Sequence, residues 1–361
     1  MKKLLAALCF TLALAACGGG EKPQQASTPA PAPAAAKPHF DVAWSHYTGW
    51  EPWGYADNAG ILKKWGDKYG IDIKLTLVND YVESINLYTS GKFQACLMTN
   101  MDALTIPAVG GIDSQAVVVG DFSNGNDGIV MKNGTKVTDL KGRSINLVEL
   151  SVSHYLLARA LDVSGIKEQD VKLVNTSDAD IASVFSADAN GAAVTWNPPL
   201  MQARQAPGAT LVFDSSKIPG EIMDLLVVRT DAPDTLKNAL TGAWYETMAV
   251  MQGSGANTDA AIDFMAKASG ATVDQFKGQL GTTAMFYGAA DGAAFAASPE
   301  VGTTMDKVRQ FTFSKGLFGQ GANSADAVGI ELDDGKVLGD AKNVKLRFTA
   351  KYMKAAADGR L

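Results

Sequence analysis

Five carboxylates stand where short apolar runs end: Asp80, Asp102, Asp121, Glu149 and Asp224. Three indoles, Trp50, Trp53 and Trp196, stand beside such ends, as do the polar side chains of Asn100 and Ser153. The chain has seven arginines, and none falls at a strand end of this kind; the only nearby lysine is Lys217. Oxyanion sites recruit a cation or a bidentate arginine. Carboxylates with indole faces suit the reverse partner, a cation or a neutral solute rich in N–H donors. Each residue also has a structural reading. Asp80 and Asp121 fit helix caps or turn formers, Glu149 fits a helix-dipole partner, and the tryptophans fit packing over the first helix. His46 and His154 read as structural. No G-x-S-x-G or P-loop is present, and Ser, His and Asp show no catalytic spacing. Dispersed carboxylates fit solute binding better than acid–base catalysis, so no catalytic residue and no cofactor are expected.

The elements that must position these residues alternate. Strand-like runs are Phe40–Trp44, Ile71–Val78, Ala95–Met98, Ala116–Val119, Gly128–Met131, Ser144–Val148, Val171–Val174, Ala192–Thr195, Thr210–Phe213 and Leu225–Val228. Helical spacing covers Gly60–Tyr69, Glu83–Ser90 and Val152–Val163, the last capped by Ser151. From Pro233 onward the pattern turns helical, over Leu236–Gln252, Asp259–Ala268, Val273–Leu280 and Glu300–Ser314, with Thr272 and Gln275 forming a capping box. Short strands alternating with helices predict an α/β fold with parallel-rich sheets. Ligands then sit beyond the carboxyl ends of the strands, which directs attention to the segments Ser45–Tyr55, Asn79–Glu83, Thr99–Asp102, Gly120–Asp127, Glu149–His154, Asn175–Asp178, Trp196–Pro199 and Glu221–Asp224.

The N-terminal residues read differently. Lys2 and Lys3 precede a short apolar stretch of 13 residues, Leu4–Ala16, leading into Leu14-Ala15-Ala16-Cys17. This is the form of a secretory signal over residues 1–16 with Cys17 as an acylated first residue. Residues 17–38 form a Pro/Ala-rich tether that cannot bury a core. Of the three cysteines only Cys96 is left for the body, in an apolar run, so no internal disulfide and no zinc or iron–sulfur site is expected. The net charge of −6, about −8 once Lys2 and Lys3 leave with the leader, opposes nucleic-acid binding. With 361 residues, 47% of them apolar, the chain is long enough for two domains.

Several motifs carry a resemblance. Gly49-Trp50-Glu51-Pro52, Asp121–Val130, Asp139-Leu140-Lys141-Gly142-Arg143 and Val194–Pro198 resemble the substrate-binding proteins of ABC importers in the nitrate/taurine/pyrimidine-precursor group. More narrowly, Val78–Asn86, Met98–Leu104 and Val148–Tyr155 resemble the branch associated with urea carboxylase. The resemblance implies a two-lobed periplasmic-binding-protein fold of type II with the ligand cleft between the lobes. Lobe 1 is expected over 39–142 and 219–361 and lobe 2 over 143–218, with crossovers at Leu140-Lys141-Gly142 and Ile218-Pro219-Gly220. It also implies a lipid-anchored monomer on the periplasmic face of a bacterial membrane, working with ABC permease and ATPase subunits. The implied solute is nitrogen-rich, guanidinium before urea; another cationic amine, a thiamine-pyrimidine precursor, or an enzyme or sensor on the same fold are the alternatives. The cysteine-rich motif of a related pyrimidine-synthesis enzyme is absent, which counts against an enzyme.

Overall fold

The computed structural model describes residues 36–361. The expected leader, Cys17 and most of the tether lie outside the described residues. Strands β1 (His39–Trp44), β2 (Asp72–Leu77), β3 (Ala95–Thr99) and β4 (Ser114–Ser123) begin a first sheet. The next five, β5 (Asp127–Lys132), β6 (Ser144–Leu147), β7 (Lys172–Asn175), β8 (Ala192–Trp196) and β9 (Ala209–Asp214), make up the whole of a second sheet. The chain then returns to the first with β10 (Met223–Arg229), β11 (Thr283–Met285), β12 (Gly329–Glu331), β13 (Val337–Leu338) and β14 (Val344–Phe348). The first sheet runs β13-β12-β14-β4-β10-β3-β1-β2, with β11 paired on β4; the second runs β7-β6-β8-β5-β9.

Both sheets are mixed, and for the same reason. The strand that enters a sheet straight after a crossing runs antiparallel to its neighbours: β5 between β8 and β9, and β10 between β3 and β4. Parallel pairs such as β1–β2, β1–β3, β6–β7 and β6–β8 make up much of the rest. This architecture is the two-lobed α/β binding-protein fold expected. One boundary differs. Gly128–Met131 was expected in lobe 1, yet β5 pairs only within the second sheet, so the first crossing lies at residues 124–126 and not at Leu140-Lys141-Gly142. The return falls between Asp214 and Met223, a span containing Ile218-Pro219-Gly220. The crossings are tied together: Ser123 Oγ and Ser215 Oγ are 2.7 Å apart, and the Gly125 amide donates to Ser215 Oγ at 2.7 Å.

Helices cover the sheets through the faces that their apolar spacing defines. Ile61–Tyr69 packs Ile61 and Leu62 inward and lies against the long helix Asp234–Gln252. Thr272 and Gln275 cap Val273–Leu280 reciprocally, and Ser151 caps Val152–Val163 by accepting from the Ser153 amide. Cys96 is fully buried in β3, where burial pushes its thiol up to about 12, an inert core residue. Among the described residues no helix is long and apolar enough to cross a membrane.

Candidate functional site

The crossings bring the ends of both sheets together around a tight pocket, with open room for about one water, lined by Tyr47, Trp50, Tyr81, Thr99, Asp127, Val152, Trp196 and Asp224. Tyr47 and Trp50 lie in the turn after β1, Tyr81 opens the helix Tyr81–Thr89, and Thr99 ends β3. Val152 opens a helix of the second lobe, and Asp127 and Trp196 are register partners on β5 and β8.

Asp224 pairs in register with Thr99 on one side and Asp121 on the other, so a polar row crosses β3, β10 and β4. An irregularity between Asp224 and Leu225 adds one residue to β4 and re-aims Asp121. Asp121 is wholly buried and accepts from the Tyr47 hydroxyl at 3.1 Å. Its carboxylate sits where only a glycine leaves room: a Cβ on Gly49 would lie 2.4 Å from Asp121 Oδ2. The second oxygens of Asp121 and Asp224 have no hydrogen-bond partner and are sealed from solvent. Asp127 is 3% exposed.

Burial disfavours the charged form of each carboxylate. Desolvation pushes Asp127 up to about 7, against a hydrogen bond from Ser123, with Asp102 adding repulsion. Asp121 and Asp224 face each other and both are raised, Asp224 strongly, by desolvation and by the negative charge of its neighbours. Asp102, one step behind, takes both of its hydrogen bonds on one oxygen, and its other oxygen is likewise buried without a partner. Asp102 accepts from Tyr81 at 2.7 Å and from the Thr99 hydroxyl at 2.9 Å, and burial still pushes it up to about 6. No lining residue is basic. Arg143, Arg159, Arg229, Arg309, Arg347 and Arg360 are bonded elsewhere, to backbone carbonyls or to other carboxylates.

The aromatic side chains form a continuous wall. Tyr47 meets Trp50 edge-on at 5.0 Å, Trp50 leans on Tyr81 at 5.6 Å, and Tyr81 meets Trp196 edge-on at 5.4 Å. Such a wall offers ring faces to a cation beside carboxylates that can take its N–H groups. Among the described residues no group of His, Cys, Asp and Glu has the arrangement to hold a metal ion.

Of the residues singled out in the sequence, Trp50, Trp196 and Asp224 line this cavity, and Asp121 stands against it through Asp224 and Tyr47. The others are placed elsewhere. Trp53 is core, stacked on Trp244 at 5.3 Å. Asp80 is an exposed helix cap that accepts from the Glu83 amide. Glu149 is on the surface, because its strand ends before the turn and only its backbone amide is engaged, by Asn175. Asn100 braces the second crossing, donating to the Glu221 carbonyl and accepting from the Met223 amide. Ser153 is buried beside Val152 with its hydroxyl unpartnered. His154 is bonded to Leu150 and Glu168, and His46 to Glu51. Tyr47, Tyr81 and Asp127 lay within the segments read from the sequence but were not singled out. A larger groove lined by Tyr155, Arg159, Lys307 and Lys315 is open to solvent; Arg159 and Lys307 there pair with Glu221, and Lys315 with Glu168.

Comparison with known proteins fits this architecture. The chain belongs to the NMT1/THI5-like family, whose model matches residues 59–239. It shares its fold with the alkanesulfonate-binding protein SsuA from Xanthomonas axonopodis pv. citri, seen bound to MOPS, at a TM-score of 0.65 and 15% identity over 81% of this chain and 99% of that one. The aliphatic sulphonate-binding SsuA from Escherichia coli matches at 0.64 and 15% identity, over 78% of this chain and 94% of that one. The nitrate-binding protein NrtA from Synechocystis PCC 6803 matches at 0.55 and 11% identity, over 90% of this chain and 98% of that one. No curated protein sequence matches the chain.

Proposed function

We propose that the protein is the extracytoplasmic solute-binding component of an ABC importer and that its solute is a small nitrogen-rich cation, guanidinium first. The observation that carries the solute class is Asp224, which lines a pocket without a basic side chain, with its register partner Asp121 directly behind it, each with a buried oxygen lacking a hydrogen-bond donor. An unpaired buried carboxylate is costly, and a cation supplies what is missing. A flat guanidinium has N–H edges for the carboxylates and a face for Trp50 or Trp196. Charge-assisted hydrogen bonds contribute about 1.5–3 kcal/mol each and a desolvated cation–π contact about 2 kcal/mol. Two bonds and one stack total about 5–8 kcal/mol before the cost of immobilisation, so these contacts alone correspond to binding weaker than micromolar. The sulfonates and nitrate named for the structural relatives are anions, which these carboxylates repel.

One observation favours urea as a second reading: Trp50 Nε1 is a buried donor without an acceptor, and the urea carbonyl would supply one. Calorimetry against guanidinium, urea, taurine, nitrate and pyrimidines separates the cases. Guanidinium should bind tightest and urea far more weakly; tighter binding of taurine or nitrate refutes the cation reading. Recovery of the solute unchanged is expected of a binding protein, and turnover would instead assign an enzyme. The lobes should close on the solute by a hinge at the crossings, shrinking the radius of gyration in small-angle scattering. For Cys17, Cys17→Ser should release the protein from membranes; continued membrane association would show another anchor.

A further inference from the structure

We infer that solute capture at this site is an exchange of cation for proton: the empty closed cleft holds a proton among Asp121, Asp224 and Asp127, and a bound cation expels it to solvent. The inference rests on the cation reading and adds to it the ionic bookkeeping of the cleft.

The geometry requires something of the kind. Asp121 and Asp224 are register partners on neighbouring strands, at most 2% exposed, with their free oxygens sealed. Two carboxylates in contact cannot hydrogen-bond unless a proton sits between them, and like charges at such range do not both ionise in a dry site. Asp127 brings a third carboxyl to the same space from β5. The groups facing them from the surrounding elements supply no positive charge. Tyr47, from the turn after β1, donates to Asp121. Asp102, on the short helix after β3, is itself acidic and takes the hydroxyl of Tyr81. Tyr287, after β11, is a neutral phenol near Asp121, whose charge raises it further. Ser123 accepts from the Asp127 amide. His46, the titratable base in the turn after β1, is bonded at 2.7 Å to Glu51. Protons are therefore the counter-charge left to the empty cleft. The raised affinity of Asp121, Asp127 and Asp224 for protons, caused first by desolvation in each, agrees.

The balance is simple. A cleft carrying one shared proton takes up one guanidinium ion, loses that proton to water, and ends with the same net charge. By linkage, one proton released makes affinity rise about tenfold per pH unit wherever the empty site is protonated and the occupied one is not.

The test is calorimetric titration of the full chain with guanidinium chloride, in buffers matched in pH but differing in ionisation enthalpy, repeated from mildly acidic to mildly alkaline pH. About one proton should leave per ion bound, and the dissociation constant should fall about tenfold per unit. In parallel, the infrared carbonyl band of a protonated carboxylic acid in the empty protein should vanish on saturation. Guanidinium binding with no proton release, a pH-independent constant and an unchanged band would overturn the exchange while leaving the cation reading intact. No guanidinium binding would remove both.

Discussion

Replacing Asp127 by asparagine should make the empty protein more stable and the binding protein worse. Asp127 is 3% exposed and is pushed from 3.8 to about 7 by desolvation. A carboxyl raised in the folded state binds more protons folded than unfolded. Its stability contribution is therefore complete below the unfolded value and is lost as pH rises through the folded one. At 1.36 kcal/mol per pKa unit, the burden at neutral pH is roughly 4 kcal/mol, shrinking to under about 1 kcal/mol near pH 4. Asparagine keeps the shape without the charge. Chemical denaturation of wild type and Asp127→Asn at pH 8 and at pH 4 should show the variant ahead by several kcal/mol at the first and nearly level at the second. Guanidinium affinity at pH 8 should drop about tenfold or more, since one charge-assisted bond is lost. A variant no more stable at pH 8, or one that binds guanidinium as well as wild type, refutes the reasoning.

Three further substitutions probe other parts of the site. Trp196→Leu removes a ring face worth about 2 kcal/mol, so calorimetry should show guanidinium weakened roughly thirtyfold; an unchanged constant would remove the indole from the ligand. Gly49→Ala places a Cβ 2.4 Å from Asp121 Oδ2 and should abolish tight binding while far-ultraviolet circular dichroism stays the same. Glu221→Gln breaks a cluster in which Glu221 accepts from Tyr155, Arg159 and Lys307. Burial opposes ionisation of Glu221, but these three partners win and hold it below the ordinary range. The variant should lose roughly 2–3 kcal/mol in denaturant unfolding at neutral pH. The gap should close as acid protonates the wild-type group below its folded pKa; equal stability at pH 7 argues against any role for the cluster.

How far the sequence disclosed this site depends on strand direction. The rule that ligands sit beyond strand carboxyl ends found Trp50, Asp121 and Trp196, because β1, β4 and β8 all point their ends at the cleft. It gave no reason to single out Asp127, the first residue of a strand, since the antiparallel sense of β5 is a tertiary fact. The same cue produced Asp80 and Glu149, because an acid after a strand is equally a helix cap or a surface turn. Tyr81 is missed because the helical spacing shows only from Glu83; the helix starts two residues earlier, at Tyr81, capped by Asp80. The C-terminal strands β11 to β14, two to five residues long, are too short to show a period, so that region read as helical throughout. The lobe boundary was misplaced for the same reason as Asp127: an apolar run declares itself a strand without naming its sheet.

The chain crosses between lobes twice, and each crossing delivers an aspartate within two residues of landing: Asp127 at the start of β5 and Asp224 at the second position of β10. The hinge and the charge are thus carried on the same covalent segments. If the lobes close as proposed, closure would bring Asp127 toward the Asp121–Asp224 pair, and at a pH high enough to strip the shared proton the empty molecule would be pushed toward the open form. On the proposed reading, a bound cation would be the counter-ion that offsets this repulsion. An importer would gain from this, since an empty binding protein that closed on its own would occupy the permease without cargo.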